Sequence, residues 1–145
     1  MRLFPMLLAF AVGAGLVIQV GMNMALSRAF GSPVAASLVN FMVGTMALGA
    51  FFLMRHDLPG REQVAGVPTW AWFGGLLGAA YVTVATLAGP RLGAMLLLAL
   101  TVAGQMVASL VVDHNGWLGF AQQPVTALRL LGVAFLVLGI VLIAR

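Results

Sequence analysis

The chain has 145 residues, of which 63% are hydrophobic and only 7% charged, with a mean hydropathy of +1.13. An average soluble domain carries about 25% charged residues, and a chain this small leaves too much of its surface exposed to hide so many apolar side chains from water. The composition excludes an ordinary soluble domain and a disordered chain, and leaves an all-α polytopic membrane protein in a lipid bilayer.

The first apolar segment runs over residues 3–26, without charge but with Gln19 and Asn23 inside it. Its apolar run is too long for the core of a cleaved signal peptide, so it reads as a retained span. Ser27 through Pro33 forms a turn, with Gly31 and Pro33 as breakers. The second segment covers 34–54 and holds Asn40 and Thr45. A polar loop containing Arg55, His56, Asp57, Arg61 and Glu62 follows, with His56 and Asp57 read as a solvated turn. The third segment covers 70–88, and Gly89-Pro90-Arg91 is expected to make a tight turn into the fourth, 92–112. A loop from Asp113 to Pro124 leads to the fifth, 127–144. Each segment has about the 20 residues that a membrane helix needs, where a membrane strand needs about ten with alternating polarity. The expectation is one domain over 1–145, built from five transmembrane helices.

Five spans put the termini on opposite sides of the membrane. Arg2, Arg55, Arg61 and Arg129 then lie on one side, and Arg28, Arg91 and Arg145 on the other. The positive-inside rule counts basic residues near the ends of spans, and four against three is almost no bias. Either a weak preference fixes one orientation, with Arg2 cytoplasmic, or copies insert both ways and pair as an antiparallel homodimer.

Polar side chains inside the spans are the functional candidates, because an amide facing lipid costs several kcal/mol by transfer estimates. Gln19 and Asn23, at i and i+4, share one helix face and serve either as interhelical glue or as cavity lining. Asn40 shares its face with Ser37 and Gly44. Tyr81 sits mid-span in the third helix, where its hydroxyl needs a partner. Trp72, near the start of that helix, fits an interfacial aromatic belt or an apolar cavity wall. In the fourth helix Thr101, Gln105 and Ser109 make a slowly winding stripe that reaches Asp113 at the helix end. Asp113, His114 and Arg91 lie at interfaces, where they could couple or gate. The fifth helix has no polar side chain from Leu130 to Ala144 and reads as a packing or lipid-facing element.

No Asp, Glu, Lys, Arg or His falls in the interior of any expected span. Such residues usually mark proton relays, so a mid-membrane titrating carboxylate is not part of the expected mechanism. No metal-ligand spacing, phosphate loop or nucleophile with an evident base occurs, and no cofactor or enzyme activity is expected. The seven basic residues are all arginines, placed singly, and form no stripe that would track phosphates, so no nucleic-acid partner is expected. The chain has no cysteine, which excludes disulfides and thiolate chemistry.

Three blocks, Gln19-Val20-Gly21-Met22-Asn23-Met24-Ala25-Leu26, Asn40-Phe41-Met42-Val43-Gly44-Thr45 and Trp70 through Ala79, resemble the YdcZ-type family of small bacterial inner-membrane proteins. Pro90-Arg91-Leu92-Gly93, Gly104-Gln105, Asp113-His114 and Arg129 with Gly132 extend the resemblance over nearly the whole chain. The resemblance implies membership of the drug/metabolite transporter superfamily, an EamA-like fold and half of a ten-helix transporter built from inverted repeats. It implies a small-solute transport role in the inner membrane, with a substrate it does not define. The chain departs from the four-helix multidrug exporters, whose first helix carries a glutamate where this one carries amides.

The expected function is therefore a transporter protomer, paired as a homodimer or with a paralogue, moving a small solute by alternating access. Gln19, Asn23, Asn40, Thr101 and Gln105 would meet the solute, and Tyr81 and Trp72 would supply an apolar wall. A passive channel lined by amides and hydroxyls, or a structural subunit of a hetero-oligomeric membrane complex, are the alternatives.

Overall fold

The computed structural model describes residues 3–55 and 58–145, so Arg2, His56 and Asp57 lie outside the described residues. Every regular element among the described residues is helical. The helices are α1 (Leu3–Phe30), α2 (Pro33–Arg55), α3 (Arg61–Ala65), α4 (Gly74–Asn115) and α5 (Ala127–Ile143). Single-turn 3₁₀ stretches occur at Thr69–Phe73 and Trp117–Gly119.

Helix α1 continues past residue 26 to Phe30, because nothing between Ala25 and Phe30 breaks a helix. Gly31 ends it with a left-handed φ of 67°. The Ser32 hydroxyl then accepts from the Ala35 amide at 3.2 Å, and Pro33 takes the first helical position, where its missing N–H costs nothing. A two-residue link of this kind makes α1 and α2 antiparallel neighbours.

The expected tight turn at Gly89-Pro90-Arg91 is not where the chain breaks. Helical geometry runs through Pro90, and the break falls at Gly93, with φ 74° and ψ 162°. Proline removes the N–H that would serve the Thr86 carbonyl and so weakens the ladder. Glycine then supplies a backbone conformation that side-chain-bearing residues essentially never adopt. At 1.5 Å per residue, the 42 residues of α4 would span about 63 Å as one rod, twice the hydrocarbon thickness of a bilayer. Gly93 divides it into a first limb, 74–92, and a second limb, 94–115.

The chain forms two compact units, Met1–Pro90 and Arg91–Arg145. In the first, the buried side chains come from α1 (Val20, Asn23), α2 (Ala36, Ser37) and the first limb of α4 (Val82, Ala85, Thr86). The α4 set follows i, i+3, i+4, one face of a helix. The Thr83 hydroxyl donates to the Ser37 hydroxyl at 3.0 Å, and a Cβ on Gly78 would lie 3.4 Å from the Phe41 ring. Rising numbers in α2 meet falling numbers in α4, so these helices are antiparallel. In the second unit Leu97 is the buried apolar side chain.

Most large apolar side chains face outward, among them Phe10 (80% exposed) and Leu128 (78%). Among the described residues, three helices are long and apolar enough to cross a membrane, Leu3–Phe30, Pro33–Arg55 and the continuous stretch Thr69–Asn115. Helix α5 is apolar and shorter, at 17 residues.

Candidate functional site

In the first unit the polar side chains of the core differ in how they are satisfied. Ser37 donates to the Pro33 carbonyl at 2.9 Å and accepts from Thr83, while Thr86 donates to the Val82 carbonyl at 2.7 Å. These hydroxyls bond back along their own helices, as hydroxyls in membrane helices commonly do. Asn23 is different. It is 1% exposed, and its Oδ1 has no hydrogen-bond partner among the described residues. A buried carbonyl left unpaired costs about 1–3 kcal/mol, and native proteins keep few of them without a reason.

Gln19, Asn40 and Tyr81 are half-buried in the same unit, and Trp72 is 63% exposed within the 3₁₀ stretch that precedes α4. Of the expected solute-binding residues here, Asn23 is thus the one fully withdrawn from the surface. An open groove of about 480 Å³ lies elsewhere on α2, lined by Thr45, Leu48, Gly49, Phe51, Phe52 and Arg55, with the Arg55 guanidinium 6.0 Å from the Phe51 ring centroid. It is larger than any other cavity described below, but a single helix lines it and none of the expected residues reaches it.

In the second unit Arg91 and Gln105 are exposed, and Thr101 is half-buried with its hydroxyl bonded to the Leu97 carbonyl at 2.9 Å. The end of the second limb of α4 is more organised. Gly116, in left-handed geometry with φ 64°, turns the chain so that Gln123 N–H donates to the Asp113 carbonyl at 2.7 Å. A Cβ at Gly116 would stand 3.2 Å from the Gln122 Cβ, so this turn needs glycine for space as well as for φ. Gln122 donates to the His114 carbonyl at 3.0 Å, and His114 Nδ1 accepts from the Val125 amide at 3.4 Å.

This folded link brings Arg129, in the first turn of α5, to Asp113. Their charged atoms are 3.5 Å apart, and both side chains are about one-third exposed. Arg129 also donates to the backbone and side-chain carbonyls of Gln123. Thr126 caps α5, its hydroxyl accepting from the Arg129 amide at 3.3 Å. A cavity of about 420 Å³ opens beside the pair, lined by Met106, Ser109, Leu110, Asp113, Arg129, Gly132 and Val133. Two members of the expected polar stripe, Ser109 and Asp113, therefore share one cavity. In the sequence Arg129 bears on topology and not on chemistry. Its signal is that it is the one charged side chain in α5.

The family model described as "Putative inner membrane exporter, YdcZ" matches residues 4–142. The chain belongs to the YdcZ family. It is 30% identical over 138 residues to the inner membrane protein YdcZ of Escherichia coli strain K12, covering 93% of this chain and 91% of that relative. No solved structure matches it. The YdcZ family, within the drug/metabolite transporter superfamily, is described as one of inner membrane exporters, and its members are transporters rather than enzymes. Its match and the apolar helices make this chain a multi-pass inner-membrane protein.

Proposed function

We propose that the chain is one protomer of an inner-membrane exporter for a small solute, with five transmembrane helices, counting the two limbs of α4 separately. Two copies, inserted in opposite orientations, enclose a midplane cavity and alternate between inward- and outward-open states. Gln19, Asn23, Asn40, Tyr81, Trp72, Thr101 and Gln105 meet the solute, and Asp113, His114 and Arg91 act at the cavity mouths. The description of the family supports the transport role, and the near-even split of arginines supports two-way insertion.

The observation that carries the reading is the unpartnered Oδ1 of Asn23. A polar atom withdrawn from lipid and left without a protein partner is accounted for when a ligand donates to it in one state of the cycle. The solute therefore carries an N–H or O–H donor. A thermal-stability screen of small polar solutes on the purified protein tests this, since a ligand that binds the folded state raises its apparent stability. A solute that stabilises the wild type is expected to lose its effect on Asn23→Leu. Equal stabilisation of the two proteins would remove Asn23 from the site.

A further inference from the structure

The cavity beside Asp113 and Arg129 has a shape that solute export does not explain. One end holds an acid and a base side by side. The lining then runs along two helices to Met106 on one and Val133 on the other. At 1.5 Å per residue, Met106 lies about 10 Å along the helix from Asp113, and Val133 about 6 Å from Arg129. Between these ends the lining is apolar except for Ser109, whose hydroxyl is already committed to the Met106 carbonyl at 2.9 Å. The cavity thus has a doubly charged mouth at the end of the apolar helices and a hydrocarbon wall running inward from it.

The charged mouth is braced from behind and weakly closed in front. Gln123 holds the Arg129 guanidinium through two carbonyl oxygens, and its own amide holds the backbone of Asp113. Between the two side chains there is a single ion contact at 3.5 Å, one-third exposed. A pair of that kind contributes little. A ligand bearing an anion and an ammonium replaces it with two charge-assisted hydrogen bonds, anion to Arg129 and ammonium to Asp113, on groups that are already positioned.

We propose that this cavity binds an amphiphile whose head is a phosphate–ammonium zwitterion, the chemistry of an ethanolamine phospholipid, with its tail along Met106, Leu110 and Val133. Phosphate faces Arg129, the primary ammonium faces Asp113, and Gly132 leaves the space that the tail enters. A Cβ at Gly132 would meet nothing within 4 Å, so a larger side chain there fills the cavity without a clash.

The test is lipid binding by native mass spectrometry of the delipidated full-length protein. The probes are ethanolamine, choline and glycerol phospholipids with identical acyl chains, and free phosphoethanolamine as a separate arm. The ethanolamine lipid is expected to bind about tenfold more tightly than the choline lipid, whose methylated ammonium donates no hydrogen bond, the difference that one charge-assisted bond makes. Gly132→Leu is expected to abolish this preference while the protein keeps its thermal stability. Asp113→Asn is expected to reduce discrimination between the ethanolamine and glycerol lipids and to spare phosphate binding. Binding of free phosphoethanolamine at the same site would assign the chemistry to a soluble zwitterion as well as to the lipid. Equal binding of the three lipids by the wild type, or an undiminished preference in Gly132→Leu, would overturn the proposal. Neither readout depends on transport or on Asn23.

Discussion

The hydroxyl of Thr83 donates to the hydroxyl of Ser37 at 3.0 Å, and this bond ties the first limb of α4 to α2. Ser37 donates its own hydroxyl hydrogen to the Pro33 carbonyl, so the bond belongs to a short hydrogen-bonded chain and is not an isolated contact. Interhelical hydrogen bonds in membrane proteins are worth about 0.6 kcal/mol on average. Thr83→Val should therefore destabilise the protein by about that amount, measured by reversible unfolding in micelles. A loss of several kcal/mol would mean that the hydroxyl holds more than Ser37.

Two glycines should respond oppositely to the same substitution. At Gly78 a Cβ would already lie 3.4 Å from the Phe41 ring, so Gly78→Leu forces α2 and α4 apart at a cost of about 1–3 kcal/mol. At Gly132 the space is open, and Gly132→Leu should leave stability unchanged or slightly raised. Thermal melts of the two purified variants make the comparison directly.

Gly93 should tolerate no side chain. Its φ of 74° and ψ of 162° lie in a region that is essentially restricted to glycine. Gly93→Ala should cost about 1–3 kcal/mol, or straighten α4 to avoid the cost. Circular dichroism and thermal stability, measured together, distinguish the two responses. A variant as stable as wild type, with unchanged helix content, would place the break elsewhere.

The arginine split predicts that the chain inserts both ways. Reporter fusions to the C-terminus should give signal from both sides of the membrane, and adding two lysines beside Arg2 should collapse it to one side. Signal from one side only in the unmodified chain would end the antiparallel arrangement.

The helical segments were legible in the sequence because charges and breakers fall between apolar runs. Gly31 and Pro33 act as the breakers, but the turn is shorter than the Ser27–Pro33 stretch expected, because α1 runs on to Phe30 and Pro33 already opens α2. The break before Leu97 was harder to place. Pro90 and Gly93 are both credible breakers, and only the backbone shows that the chain stays helical through the first and turns at the second. Asn23 was legible as inward-facing, because its amide is costly in lipid, and it is 1% exposed. The lack of a partner for its carbonyl was not legible, since helical spacing does not say which atoms of neighbouring helices come within reach. The pairing of Asp113 with Arg129 depends on the path of the link between them, set by the left-handed geometry at Gly116 and by the reach of Gln123, and periodicity encodes neither.

Asn23 is proposed to serve a solute that this chain carries across the membrane. The most direct test of this role is exchange of a labelled ligand, identified by thermal stabilisation, across the bilayer of proteoliposomes containing only this protein. Wild-type protein should exchange the label at a saturable rate, and folded Asn23→Leu protein should fall to the level of empty liposomes. Equal exchange by the two proteins, or none by the wild type with a ligand that binds it, would contradict this role for Asn23.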